Sequence, residues 1–198
     1  MSEKNREQWL NEGMELLKNK YFAEYDTTVG RFPEKLRVSV GWCRSKKAIG
    51  ECWKPECSTE DAVEMFISPK LEEPIEVLAT LLHELIHAFI GNDKKHGAEF
   101  KELARKFGLA GKLTATYAEP ESILWVELKG LAEQLGDYPH KAMMLSGLLV
   151  KEPSTKEKLW VRYVSTKIPS YKVVASTRQV DQYGVPRDPL GEEMVVAT

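Results

Sequence analysis

The stretch "HELIHAFIGNDKKH", His83 to His96, constrains this chain more than any other part of it. It begins inside an apolar run, Val77 to Ile90, that only His83, Glu84 and His87 interrupt. The spacing and the richness in Leu and Ala predict a long helix from Ile75 to about Ile90. Gly91-Asn92-Asp93 then carries stop signals, because Gly and Asn tolerate the left-handed backbone of a helix C-cap. A second helix is predicted from Ala98 to Phe107, stopping at Gly108. Three of the chain's four histidines fall in this helix, break and re-entry. Histidines used only for packing have no reason to cluster in this way.

On a helix, positions i and i+4 lie one above the other on one face. His83 and His87 can therefore present two imidazoles to one ion, with Glu84 close enough to reach a water on it. This is the HExxH arrangement, with the glutamate as general base. A hydrolytic zinc site needs three protein ligands and one open position. The break lets the chain double back and bring in His96 as the third; Asp93, Glu99 and Glu102 compete with it for that place. The ion would lower the pKa of a bound water towards ~7, and Glu84 would take its proton and pass one to the leaving amine. The opposing reading is a polar patch on a core helix, which would have to satisfy three histidines and a glutamate in apolar surroundings.

Around this segment the pattern is α+β. Residues 6–22 have helical spacing, with Trp9, Leu10, Met14, Leu17 and Tyr21 near one face. "KLRVSVGW" (Lys35–Trp42) and "VEMFISP" (Val63–Pro69) are predicted strands. "EPESILWVELKGLAEQLG" (Glu119–Gly136) has helical spacing and ends in glycine. From Lys158 the character changes: "KLWVRYVSTK" and "YKVVASTRQV" are β-branched, and "YGVPRDPLGEE" is a turn-rich return. The expected organisation is a main domain at 1–140, a linker at 141–157 and a small β unit at 158–198.

The chain has 198 residues, 42% of them apolar and 29% charged, with a net charge of −2. That balance argues against a disordered chain and gives no overall electrostatic reason to bind nucleic acid or an anionic membrane. No apolar run approaches the ~18–20 residues that span a bilayer. The charged N-terminus lacks a signal-peptide hydrophobic region. Three cysteines, without such a signal, favour reduced thiols and a cytoplasmic setting. The spacing of Cys43, Cys52 and Cys57 is not that of a metal knuckle, so buried or half-buried free thiols are expected. A monomer without a membrane partner is expected.

"HELIHAFIGNDKKHGAEFKELARKFGL" resembles the core of the SprT-like zinc metalloproteases, which share HExxH, a helix break and a His-Gly pair opening the next helix, here His96-Gly97. The preceding strand ending in Ser-Pro and its acidic link are also similar, and the likeness covers about residues 35–136. The resemblance implies a zincin-like domain, with the HExxH helix packed on a small sheet, one Zn2+ ion and endopeptidase activity. It implies His83, His87 and His96 as metal ligands and Glu84 as the catalytic base. In better-known members the substrates are proteins attached to DNA, so DNA-associated proteins are the candidate substrates. By fold analogy, Phe66, Ile67 and Ser68 would border the cleft and pair with a peptide. Many members also carry a C-terminal zinc ribbon with four cysteines. Lys158–Val195 has none: "STKIPSY" and "PRDPLGEEM" stand where the two knuckles would be. The expected result is a metal-free ribbon held by packing around Trp160, Tyr163, Val173 and Val180.

Residues 151–178 hold seven Lys or Arg against two glutamates, a local +5. This basic run could track a phosphate backbone through Lys156, Lys158, Arg162, Lys167, Lys172 and Arg178, with Trp160, Tyr163 and Tyr171 stacking on bases. A solvated β surface is the plain alternative. Tyr117 is a candidate donor to an oxyanion, and His140 is expected on the surface. Two functions follow. One is a zinc endopeptidase; the other is a non-catalytic, zinc-containing factor that binds nucleic acid or protein. Glu84 favours the first, because a structural zinc site needs no general base.

Overall fold

The computed structural model describes residues 4–25, 28–143 and 160–197. The chain divides into two compact units, Met1–Leu145 and Ser146–Thr198. Both mix helices with small sheets.

In the first unit, helix α1 (Arg6–Leu17) begins at Asn5, whose side chain accepts from the Gln8 amide while Gln8 bonds back to the Asn5 amide. This capping box satisfies two donors that a helix start leaves unpaired. The helix runs on through a wider π-helical turn, Lys18–Phe22. Three strands follow: β1 (Leu36–Val40), β2 (Gly50–Trp53) and β3 (Val63–Ile67). Their order is β1-β3-β2, with β1 parallel and β2 antiparallel to β3. β3 is therefore the central strand, and both of its edges are taken. The expectation that Phe66–Ser68 would pair with a peptide is corrected by this order, because the edges are β1 and β2, and β2 is the one that lines the cleft. Four residues long and without alternation, "GECW" offers no periodic signal of a strand.

Helix α2 (Pro74–Ile90) starts with proline in its first turn and ends at Gly91, whose φ is +89°. Proline suits that start because its missing N–H would have had no helical partner anyway. Leu78, Leu81, Leu82, Leu85 and Ile86 are fully buried. Burying one such side chain stabilises by roughly 1.5–3 kcal/mol, so this helix anchors the core. Its polar residues Thr80, His83, Glu84 and His87 follow the i, i+3, i+4, i+7 rule and form a single stripe. Helix α1, helix α3 (Ala98–Lys106) and helix α4 (Ile123–Leu135) cover its other faces. Between α3 and α4 lies a hairpin of β4 (Leu109–Lys112) and β5 (Ala115–Ala118), joined by Leu113-Thr114. That turn has none of the Gly or Asn that usually announces a two-residue hairpin.

Residues 137–143 pack back onto the first unit. Tyr138 is buried against Trp9, and His140 Nε2 lies 2.9 Å from the Pro69 carbonyl. The Ala142 and Met143 amides donate to Glu72 and to the Pro69 carbonyl. His140 is therefore half-buried rather than on the surface. The rest of the expected linker, with Lys156, and Lys158 at the start of the expected β unit lie outside the described residues.

The second unit holds strands β6 (Trp160–Val164), β7 (Lys172–Ser176) and β8 (Val195–Val196), in the order β7-β6-β8, with a short helix α5 (Thr177–Tyr183) after β7. "TRQV" was expected to extend the strand. Ser176 instead caps a helix through a capping box with Gln179. Trp160 is 62% exposed and does not serve as the core residue that was expected, whereas Tyr163 and Met194 are buried. A polar pair joins the turns of "STKIPSY" and "PRDPLGEEM", where the knuckles were expected. Ser165 Oγ donates to Asp188 Oδ2 at 2.5 Å and accepts from the Lys167 and Ile168 amides. Asp188 Oδ1 accepts from the Leu190 and Glu192 amides. One hydrogen bond thus ties two loops whose amides are already gathered on the same two side chains. In the full-length protein, Asp188→Ala should speed hydrogen exchange at the amides of residues 167, 168, 190 and 192. The amides of α2 should keep their protection; equal protection of the two turns in the variant would show that Asp188 does not hold them.

Candidate metal centre

The three clustered histidines meet at one point. His87 Nε2 and His83 Nε2 each lie 3.2 Å from His96 Nε2. Among the described residues, these three form the one His/Cys/Asp/Glu group whose ligand atoms are close enough together to hold a metal. Four bonds of ~2.0–2.1 Å in a tetrahedron put neighbouring ligand nitrogens roughly 3.3 Å apart, so the set suits zinc. Without a cation, His96 Nε2, which offers one N–H or one lone pair according to tautomer, would have to serve both neighbours at once.

Each imidazole is aimed by local structure. His83 and His87 are one turn apart on α2. His96 arrives through the break: Gly91 leaves the helix at positive φ, a single 3-10 turn (Asn92–Lys94) reverses the chain, and Gly97 opens α3. Phe100, fully buried one turn into α3, is the floor beneath all three rings. It stacks on His87 at 4.5 Å and 27°, and its centroid lies 4.8 Å from that of His83 and 4.9 Å from that of His96. His83 Nδ1 is 2.7 Å from Thr116 Oγ1 on β5. If the ring donates there, its Nε2 lone pair is left facing the centre. Burial pushes His83 down to about 3 and His87 to about 4, with their neighbouring histidines adding to the effect, and burial lowers His96 as well. All three are thus neutral near pH 7, the form that binds metals.

Glu84 points to the same side of α2, against β2. A Cβ at Gly50 would sit 2.5 Å from Glu84 Oε1 and 2.7 Å from Thr80 Cγ2, so only glycine lets the strand come this close. Burial, with Glu51 nearby, pushes Glu84 up to about 8. A cation at the centre would pull it back towards the ionised form.

The site opens into a cleft of about 830 Å³. One wall is the edge strand β2 with its preceding loop, and the other is Thr114–Tyr117 of the hairpin. The break and the strand are tied together. Asn92 Nδ2 donates to the Cys52 carbonyl at 3.0 Å, and Lys54 pairs with Asp93. The competing third ligands are engaged or distant: Asp93 by Lys54, Glu99 by Lys94, and Glu102 outside the cluster. Tyr117 lines the cleft, but the Glu119 carboxylate raises its hydroxyl above the usual range and its ring covers Gly111. The three cysteines are free; Cys43 and Cys52 are half-buried, and Cys57 is exposed, against the expectation for it. Of the proposed nucleic-acid residues, Arg162, Lys167, Lys172 and Arg178 are all exposed, far along the sequence in the second unit.

Thr116 left no sign in the sequence, because its role depends on a hairpin that periodicity does not reveal. Phe100 did leave a trace, since it lies four residues after His96 in a predicted helix. Thr116→Val should leave the fold intact and weaken the binding of a divalent metal by about 10–100-fold, measured by competition with a chelator. Unchanged affinity would mean that Thr116 does not orient His83.

A model of the SprT-like family matches residues 13–119, more than half of the chain and all of the elements that build the centre. No curated protein and no solved structure matches the chain. The match spans α2, the break with His96 and the hairpin with Thr116, and the chain belongs to the SprT-like family.

Proposed function

We propose that this protein is a zinc-dependent endopeptidase and that its first unit is a zincin-like domain. The observation that carries the reading is the convergence of three Nε2 atoms beside the buried carboxyl of Glu84, at the floor of a cleft walled by an edge strand. A non-catalytic zinc factor would have no use for that carboxyl or for an open cleft.

His83, His87 and His96 would hold the ion. When bound, it supplies Lewis acidity, polarising a carbonyl and lowering the pKa of a water towards ~7. The rest is done by the chain. An extended peptide pairs with the free edge of β2, which lays its backbone across the three histidines. Glu84 accepts the proton of the attacking water and delivers it to the departing amine. Gly50 keeps the strand close enough for the same carboxyl to serve both steps. Phe100 and Thr116 keep the rings from turning away.

The second unit supports a partner reading. The strand register places Trp160, Arg162, Val174 and Lys172 on one sheet face, with Tyr163 and Val173 on the other. Trp160, Val174, Arg162 and Lys172 are exposed, and Tyr163 is buried. An aromatic ring followed along the same open sheet face by two cations suits single-stranded nucleic acid. We therefore place any DNA contact here rather than on Tyr163, which would make the substrates proteins near DNA.

Two experiments test these readings. Glu84→Gln should keep one zinc per chain and lose at least about 100-fold in casein or self-cleavage activity. Unchanged turnover would remove Glu84 as the base, and loss of zinc would make it structural. Trp160→Ala with Arg162→Ala should weaken binding of a single-stranded oligonucleotide, and the remaining binding should depend less on salt. Equal binding by the double variant would remove this face as the contact.

A further inference from the structure

The cleft carries a charge unlike that of the chain. Four cations line it, Arg44, Lys47, Lys54 and Lys95, against Glu51 as its one carboxylate besides the buried Glu84, while the whole chain has a net charge of −2. Two of the four are fixed in place. Arg44 is held by Glu51 and lies 4.3 Å over the Trp53 ring, and Lys54 is held by Asp93. Lys47 and Lys95 are exposed, and neither appears in an ion pair among the described residues. Both line the cleft, Lys47 in the loop before β2 and Lys95 directly before His96.

The backbone of Lys95 adds a second, independent observation. It sits at φ +49° and ψ −133°, a conformation that favours glycine. Such a residue is strained by of order 1–3 kcal/mol. Glycine would relieve that strain at an exposed turn, so the presence of lysine there points to a use for its side chain. From that position it lines the cleft beside the third histidine.

We propose that the cleft selects peptides carrying acidic side chains close to the bond being cut, with Lys95 and Lys47 as the cations that receive them. This deepens the peptidase reading and rests on it. Two exposed cations outside any direct ion pair attract an acidic segment and repel a basic one, and closeness to the metal centre sets the acidic side chain near the reacting bond.

The test uses full-length, zinc-loaded Glu84→Gln protein and two labelled peptides of equal length, one with glutamates and one with lysines at the same places. Fluorescence anisotropy should show the acidic peptide binding at least about tenfold more tightly at low salt, with the difference shrinking as salt is added. Adding Lys95→Gln should cut that preference several-fold with zinc content unchanged. Lys95→Gly should do the same while raising the melting temperature, an increase that a purely structural lysine would also give but without the change in preference. Equal binding of the two peptides, or tighter binding of the basic one, overturns the proposal. So does a single-stranded oligonucleotide that displaces the acidic peptide in a Lys95-dependent way and binds more tightly than it does, because the cations would then serve nucleic acid. Cleavage of the same peptides by the wild-type protein separates the two readings. Selective binding without cleavage sinks the peptidase and keeps the cleft assignment; cleavage without acidic preference does the reverse.

Discussion

An apolar helix that carries a polar stripe cannot be buried on every side. Thr80, His83, Glu84 and His87 give α2 one face that must meet polar partners or open space, while Leu78, Leu81, Leu82, Leu85 and Ile86 must be covered. The first unit meets both demands at once. Helices α1, α3 and α4 close over the apolar faces, and the stripe is left facing the cleft. The same packing that stabilises the core thus prevents the three imidazoles from being smothered by it. The cost of holding polar groups at the edge of a core is offset by partners that arrive from elsewhere: Thr116 for His83, and His96 for His87.

The parts of this site that were legible in the sequence are those set by local periodicity. The i, i+4 spacing of His83 and His87 and the Gly91-Asn92-Asp93 stop could be read directly, because helix geometry and capping act over a few residues. What was hidden depends on pairing across the sheet or on a turn without signature residues. "GECW" is too short to show a period, yet it is an edge strand. Leu113-Thr114 turns the hairpin with none of the usual residues, so Thr116 could not be placed. β3 looked like the cleft strand because nothing in "VEMFISP" says how many neighbours it has. The second unit misled for a related reason. β-branching in "KVVASTRQV" favours a strand, but a Ser-x-x-Gln capping box at Ser176 outweighs it and starts α5. Trp160 read as a core residue from its size alone, although its alternation with Tyr163 puts it on the opposite face.

The second unit joins two of its turns without cysteines, through two side-chain oxygens. Ser165 and Asp188 each gather two backbone amides and then bond to each other. The arrangement needs no metal and no oxidising compartment. It is also directional, so each turn is fixed in orientation as well as in distance.

The bond from Asn92 to the Cys52 carbonyl joins the turn that delivers the third imidazole to the wall of the cleft. Anything that steadies one end of that link steadies the other. An occupant lying along β2 would then tighten the hold on a metal ion at His96, and the ion in turn would favour the occupant, with the same coupling energy in both directions. A peptide and a metal ion bound together would then be cooperative co-ligands, with the ion held most tightly when the cleft is full.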